Sequence, residues 1–124
     1  MAVPRITKEE LKQRLDAPAA DVPVVIDVRL KYPYEHSTVT LPGAIRMAPG
    51  ALDTTRLPRE RDIVLYDSDP DELVSERVAG ELNRLGYRAY ALQGGIGAWV
   101  TAKLPTDSKP APQAAPPATG PAKG

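Results

Sequence analysis

The side chains best suited to chemistry lie in one short acidic segment, which runs from Asp67 to Glu72 and reads Asp-Ser-Asp-Pro-Asp-Glu. The alternation of Asp67, Asp69 and Asp71 resembles the first ligands of a calcium-binding loop. The rest of that pattern is missing, because Glu72 stands where the glycine is required and Val78 where the bidentate glutamate should be. We therefore expect these acids to stabilise the first turn of a following helix, with a weak cation site as the alternative.

A nucleophile is harder to find. The 124 residues contain no cysteine, which excludes disulfides, zinc–thiolate sites and thiol mechanisms together. Ser68 is the only hydroxyl in the acidic segment, and a serine nucleophile needs a neighbouring base. The only histidine, His36, falls in a separate loop, where we expect it to be exposed. The sequence indicates no resident metal and no cofactor.

Composition and charge narrow the classes of partner. The chain has 16 basic and 16 acidic residues and a formal net charge of zero. This balance argues against nonspecific electrostatic binding to nucleic acid or to an anionic membrane. No apolar run is long enough for a membrane span, and no apolar signal-peptide core follows the first residues. We expect a cytoplasmic, bacterial-type protein.

Two elements must position the acidic segment. Residues 63–66 form an apolar run typical of a strand, and residues 71–85 predict a helix with Val74, Val78 and Leu82 along one face. Gly86 is placed to end that helix, and residues 87–92 predict the next strand. Strand, helix and strand in about thirty residues indicate a βαβ crossover in a parallel sheet.

The remaining elements follow from similar patterns. Thr7 and Glu10 form a capping box that predicts a helix over residues 8–15. The β-branched run at residues 24–28 is typical of a strand buried on both faces, and residues 44–47 predict a short strand. Residues 29–42 look irregular, and a final helix over 96–102 carries Trp99 as a core residue. Residues 1–105 are thus predicted to form one domain, and residues 106–124 a disordered tail rich in Pro and Ala.

Six of these segments, taken in order, carry a resemblance. They are residues 25–29, 41–45, 62–66, 75–79, 85–87 and 92–99. Their order and spacing resemble the rhodanese-like domain family. The resemblance implies an α/β fold with an open, mostly parallel five-stranded sheet flanked by helices on both faces. That architecture agrees with the βαβ unit derived from the pattern alone.

The resemblance also implies where the active site should lie. In active members, the strand that corresponds to residues 63–66 ends in a cysteine that takes up sulfane sulfur, and here that position is Asp67. The following Ser68, Pro70 and Glu72 stand in a loop that active relatives begin with Cys and continue with Pro and Glu in similar places. A carboxylate is a hard group that cannot form or hold a persulfide. The departure therefore predicts a degenerate, inactive site.

Two interpretations of Asp67 remain open. Its carboxylate either fills a vacant anion pocket at the start of the helix or simply caps that helix, and Asp is a preferred residue type for a cap. By resemblance, Asp27 and Arg29 correspond to the family's Asp-x-Arg and organise the loops around the site through hydrogen bonds and an ion pair. Ser75 and Arg77 lie on the helix after the loop, where Arg77 would neutralise part of the acidic charge.

The leading hypothesis is a catalytically inactive, regulatory module related to sulfurtransferases. It would bind a protein partner or a small anionic ligand at the degenerate loop, which comprises Asp67, Ser68, Asp69, Pro70, Asp71 and Glu72. The alternatives are a sulfurtransferase-type enzyme that acts with a partner's cysteine, a hydrolase of phosphate or ester groups, and a weak cation-binding module.

Overall fold

A computed structural model of the chain describes residues 3–18, 22–68 and 73–109. Its elements, in chain order, are β1 (Arg5–Ile6), α1 (Lys8–Leu15), β2 (Val24–Asp27), α2 (Lys31–Glu35), β3 (Val39–Thr40), β4 (Ile45–Arg46), a 3-10 helix (Thr54–Arg56), β5 (Asp62–Tyr66), α3 (Leu73–Arg84), β6 (Arg88–Leu92), α4 (Gly95–Thr101) and β7 (Asp107–Ser108).

Five strands form a single parallel sheet in the order β1-β6-β5-β2-β4, which confirms the predicted fold class. β5 is the central strand and pairs with β2 through Val24–Ile63 to Asp27–Tyr66, and with β6 through Asp62–Arg88 to Leu65–Ala91. A separate pair, β3 and β7, is antiparallel. Because the large sheet is parallel, the carboxyl ends of β2, β5 and β6 meet at one edge, where ligands of such folds usually bind.

Alternation along β5 divides the core into two layers. Ile63 and Leu65 face α3, where they pack with Val78, Ala79 and Leu82. Their neighbours Val64 and Tyr66 face the opposite side, where the cluster includes Leu11 of α1 and Trp99 of α4. Helices therefore cover both faces, and Trp99 is fully buried, as predicted. Because successive side chains point to opposite faces and both faces are covered, every one of residues 63–66 is buried, which explains the continuous apolar run.

Local sequence signals determine several element ends. The capping box is present: Thr7 Oγ1 accepts from the Glu10 N–H at 3.1 Å, and Glu10 Oε1 accepts from the Thr7 N–H at 3.0 Å. Gly86 ends α3 with a φ of +95°, which a residue with a side chain rarely adopts. Gly94 turns β6 into α4 with a φ of +81°, and a Cβ there would lie 2.6 Å from the Ala98 Cβ.

The region predicted to be irregular, residues 29–42, contains α2 and β3, so that prediction was wrong for these elements. α2 tolerates Pro33 because a proline in the first turn removes an N–H that has no acceptor within the helix. The chain also continues in strand conformation at β7, which lies inside the segment predicted as a tail from residue 106. Residues 110–124 of that predicted tail lie outside the described residues.

Candidate functional site

Asp67 follows the last residue of the central strand and is 1% exposed. Its Oδ2 accepts the backbone N–H of Ser75 at 2.8 Å and that of Val74 at 3.0 Å. Its own carbonyl oxygen accepts the N–H of Ile96 at 3.0 Å. Asp67 therefore joins the end of β5 to the first turns of both α3 and α4.

The carboxylate of Asp67 occupies a position that favours anions. The first N–H groups of a helix lack intrahelical acceptors, and the helix dipole adds a partial positive charge there. An external anion would use the same donors. Asp67 thus caps the first turn of α3. Its occupation of an anion-binding position stays a prediction.

The rest of the degenerate loop is only partly described. Ser68 is exposed at the start of the loop, whereas Asp69, Pro70, Asp71 and Glu72 lie outside the described residues. Within the described ranges, no group of three or more His, Cys, Asp or Glu side chains could hold a metal ion.

Asp27 and Arg29, at the end of the neighbouring strand β2, form a fully buried ion pair. Arg29 Nη2 lies 2.7 Å from Asp27 Oδ2, and Nε lies 3.1 Å from both carboxylate oxygens. The Arg29 backbone N–H also donates to Asp27 Oδ1 at 3.0 Å. Arg29 Nη2 reaches on to the carbonyl oxygen of Val39 at 3.1 Å, which ties the end of β2 to β3.

Tyr66 completes this buried group from the central strand. Its hydroxyl donates to Asp27 Oδ2 at 3.1 Å and accepts the N–H of Leu41 at 3.3 Å. Burial raises the pKa of Tyr66, and the nearby Asp27 carboxylate raises it further. Burial lowers the pKa of Arg29, but hydrogen bonds and charge attraction to Asp27 outweigh burial, so that the net pKa is raised.

Three further residues, Tyr34, Arg46 and Lys109, were missed from the sequence. The Arg46 guanidinium carbon lies 4.1 Å from the Tyr34 ring centroid, and Lys109 Nζ lies 4.4 Å from it. Arg29 contributes a third cation at 5.3 Å. Arg46 also donates to the carbonyl oxygen of Arg29 at 2.5 Å. Three cations gather around the ring of Tyr34, although 75 positions separate Tyr34 from Lys109 along the chain.

The residues predicted to support the site take different positions. Ser75 is fully buried on α3 and places its N–H on Asp67, whereas Arg77 is exposed on the same helix. His36 is exposed at the end of α2, as expected.

Large apolar side chains are exposed at this edge of the sheet. Leu30 is 52% exposed directly after Arg29, Tyr32 is 67% exposed on α2, and Leu73 is 65% exposed at the start of α3. These residues follow the ends of the adjacent strands β2 and β5, so they border the same edge as Asp67. Large apolar side chains with this exposure are candidates for contacts with other proteins.

Comparison with known protein families gives one match over most of the chain. A model described as the rhodanese-like domain matches residues 7–102. A tRNA sulfurtransferase of Desulfurococcus amylolyticus is 37% identical over 73 residues, which are 59% of this chain and 14% of that protein. The chain thus spans only a small part of this curated relative.

Solved structures share the fold. A crystal structure of a Lactobacillus plantarum protein has a TM-score of 0.73 and 25% identity, over 83% of this chain and 87% of that one. A solution NMR structure of a rhodanese-like domain from an Anabaena protein has a TM-score of 0.70 and 26% identity, over 86% of this chain and 80% of that one. In the described part of the present chain, no helix combines the length and apolar character needed to cross a membrane.

Proposed function

Because this chain belongs to the rhodanese-like domain family, and so is related to sulfurtransferases, we propose that it is a catalytically inactive member that acts as a binding or regulatory module. The observation that carries the proposal is Asp67 at the end of the central strand, where its carboxylate accepts two N–H groups of α3. A cysteine in this place would present a thiolate to the same donors.

The chemistry of sulfur transfer supports the proposal of inactivity. The reaction needs a polarizable nucleophile that holds a second sulfur atom as a persulfide, and the chain contains no cysteine. The Asp67 carboxylate also brings a negative charge to the place where thiosulfate would otherwise meet helix N–H groups. An anionic donor therefore loses both its reaction partner and its binding position.

A protein partner is the ligand class that the surroundings of Asp67 favour. Leu30 and Tyr32, which follow β2, and Leu73, at the start of α3, expose more than half of their surface. Burying such side chains contributes to association at about 25 cal/mol per Å². Lys31 lies between two of these residues and adds a positive charge to the surface. A small anionic ligand would instead have to displace Asp67 from its two donors.

The second candidate is a sulfurtransferase-type module that acts with a cysteine supplied by a partner. The 37% identity to a segment of a tRNA sulfurtransferase favours this candidate, because it relates the domain to one part of a larger enzyme. In that arrangement the present domain would orient the partner's persulfide. The whole relative's activity extends to this chain only as a proposal.

A thiosulfate:cyanide sulfurtransferase assay tests the main proposal. We expect no thiocyanate above background from the wild type. Asp67→Cys introduces a thiol opposite the N–H groups of α3, and Ser68→Cys is its matched control, since it places a thiol one residue further on an exposed position. If Asp67→Cys is active and Ser68→Cys is not, the pocket is preserved and the wild type is inactive because it has Asp67 in place of a cysteine.

Other outcomes point elsewhere. Clear thiocyanate production by the wild type that Asp67→Asn abolishes would overturn the proposal of inactivity. If both cysteine variants are inactive, the loop has diverged and the partner should be sought by pull-down. The second candidate predicts that the wild type accelerates sulfur transfer from a protein persulfide donor to a thiol acceptor, whereas the main proposal predicts no acceleration.

A further inference from the structure

The segment after α4, residues 105–109, crosses back over the fold and is called the strap. It begins beyond Lys103, whose φ of 59° places it in the left-handed region. The indole N–H of the buried Trp99 donates to the carbonyl oxygen of Pro105 at 2.6 Å and fixes the start of the strap. A residue with a side chain is disfavoured in the left-handed region, so the base of the strap carries local strain.

The strap is held along its length by polar contacts. β7 pairs with β3 through Thr40–Asp107 and Val39–Ser108. The Lys109 N–H donates to the carbonyl oxygen of Thr38 at 2.9 Å, and Asp107 Oδ2 accepts the Gly43 N–H at 2.9 Å. Residues 105–108 are all exposed, so the strap buries little apolar surface. Segments held in this way open at a lower free energy than the core.

The strap ends on the carboxyl end of α2. Lys109 Nζ donates to the carbonyl oxygens of Tyr34 at 2.6 Å and Glu35 at 3.1 Å, which are the last carbonyls of α2. A lysine in this position satisfies helix-terminal acceptors and matches the negative end of the helix dipole. The same ammonium lies over the Tyr34 ring, which also contacts Arg46 and Arg29.

We propose that the strap is a latch: residues 105–109 hold α2 and Tyr34 against Arg29 and Arg46, and release of the strap frees the segment called here the mouth. The mouth is defined here as residues 31–37. Opening removes Lys109 from the end of α2 and uncovers cations that Tyr34 otherwise shields.

The proposed link between the strap and the mouth does not depend on the proposed function, because it concerns the mobility of residues 31–37 in the absence of any ligand. Hydrogen exchange of the full-length protein, followed by mass spectrometry, measures it directly. Lys109→Met keeps the aliphatic stem and removes the ammonium. Lys8→Met is the matched control, since Lys8 pairs only with the adjacent Glu9 among the ion pairs of the described residues.

We expect amides of residues 31–37 to exchange about tenfold faster in Lys109→Met, because two charge-assisted hydrogen bonds and one ring contact are lost. Amides of α3 should keep their wild-type rates, and Lys8→Met should change neither region. Asp107→Asn, which weakens the bond to Gly43, should accelerate the mouth to a smaller extent.

Three results would overturn the latch. The first is unchanged exchange of residues 31–37 in both strap variants. The second is an equal acceleration in α3, which would mean that the substitution destabilises the whole domain. The third is wild-type exchange of the mouth at the rate of an unprotected chain. A failure of the proposed function would appear in the sulfur-transfer assay and leave these rates unaffected.

Discussion

Removing the carboxylate of Asp67 should cost stability that an added anion restores. Asp67→Ala leaves the N–H groups of Val74 and Ser75 without their acceptor, and the environment of Ser75 is fully buried. An unpaired buried N–H costs about 1–3 kcal/mol, and the loss of two gives about 2–4 kcal/mol once water reaches the less buried one. For a domain of this size, the melting midpoint should fall by about 10–20 °C.

The assay is thermal unfolding in sodium acetate compared with sodium chloride at equal ionic strength. Acetate carries the group that the substitution removes, so it should bind the vacated donors and raise the midpoint of Asp67→Ala. An anion present at a hundred times its dissociation constant adds about 2.7 kcal/mol. The wild type should show no acetate effect, because its own carboxylate occupies the position.

Glu81→Ala provides the matched control, since it removes an exposed carboxylate from the same helix. Surface changes of this kind stay within about 0.5 kcal/mol. The reasoning is refuted if Asp67→Ala is as stable as Glu81→Ala, or if acetate raises the midpoints of the wild type and of Asp67→Ala equally. Either result would mean that the N–H groups of α3 do not form an anion-binding position.

Two further predictions concern stability elsewhere. Tyr66 has a raised pKa, so its stabilising effect is complete below its ordinary value near 10 and decreases as the pH rises above it. In Tyr66→Phe the free energy of unfolding, measured by denaturant titration, should therefore fall less steeply with pH above that value. The same dependence on pH as in the wild type would contradict this. The Asn83 side chain donates to the carbonyl oxygen of Ala89 at 3.1 Å and accepts its N–H at 2.8 Å. Asn83→Ala should lower the free energy of unfolding by about 2 kcal/mol, because it removes the side-chain partners of the Ala89 N–H and carbonyl oxygen; wild-type stability in denaturant titrations would count against it.

The parts of the fold that the sequence predicted depend on local periodicity and on short-range caps. The α1 capping box involves residues three positions apart, and the βαβ unit around α3 lies within about thirty residues. The position of Asp67 at the end of the central strand follows from the same unit. These features needed no knowledge of distant contacts.

Most of the missed features depend on distant contacts. The Tyr66 hydroxyl meets Asp27 across 39 positions, and Lys109 meets Tyr34 across 75. β7 is only two residues long and forms because β3 offers a partner, so no period could reveal it. α2 was missed because Pro33 was interpreted as a break in helical structure, whereas here it lies in the first turn of a helix.

The buried pair of Asp27 and Arg29 is better explained by position than by stability. A buried ion pair is often no more stabilising than apolar side chains of similar volume, because both charges lose their hydration. This pair, however, also bonds the carbonyl oxygen of Val39 and contacts the ring of Tyr34, so it joins β2 to β3 and α2. The role of the pair is therefore to hold these three segments together.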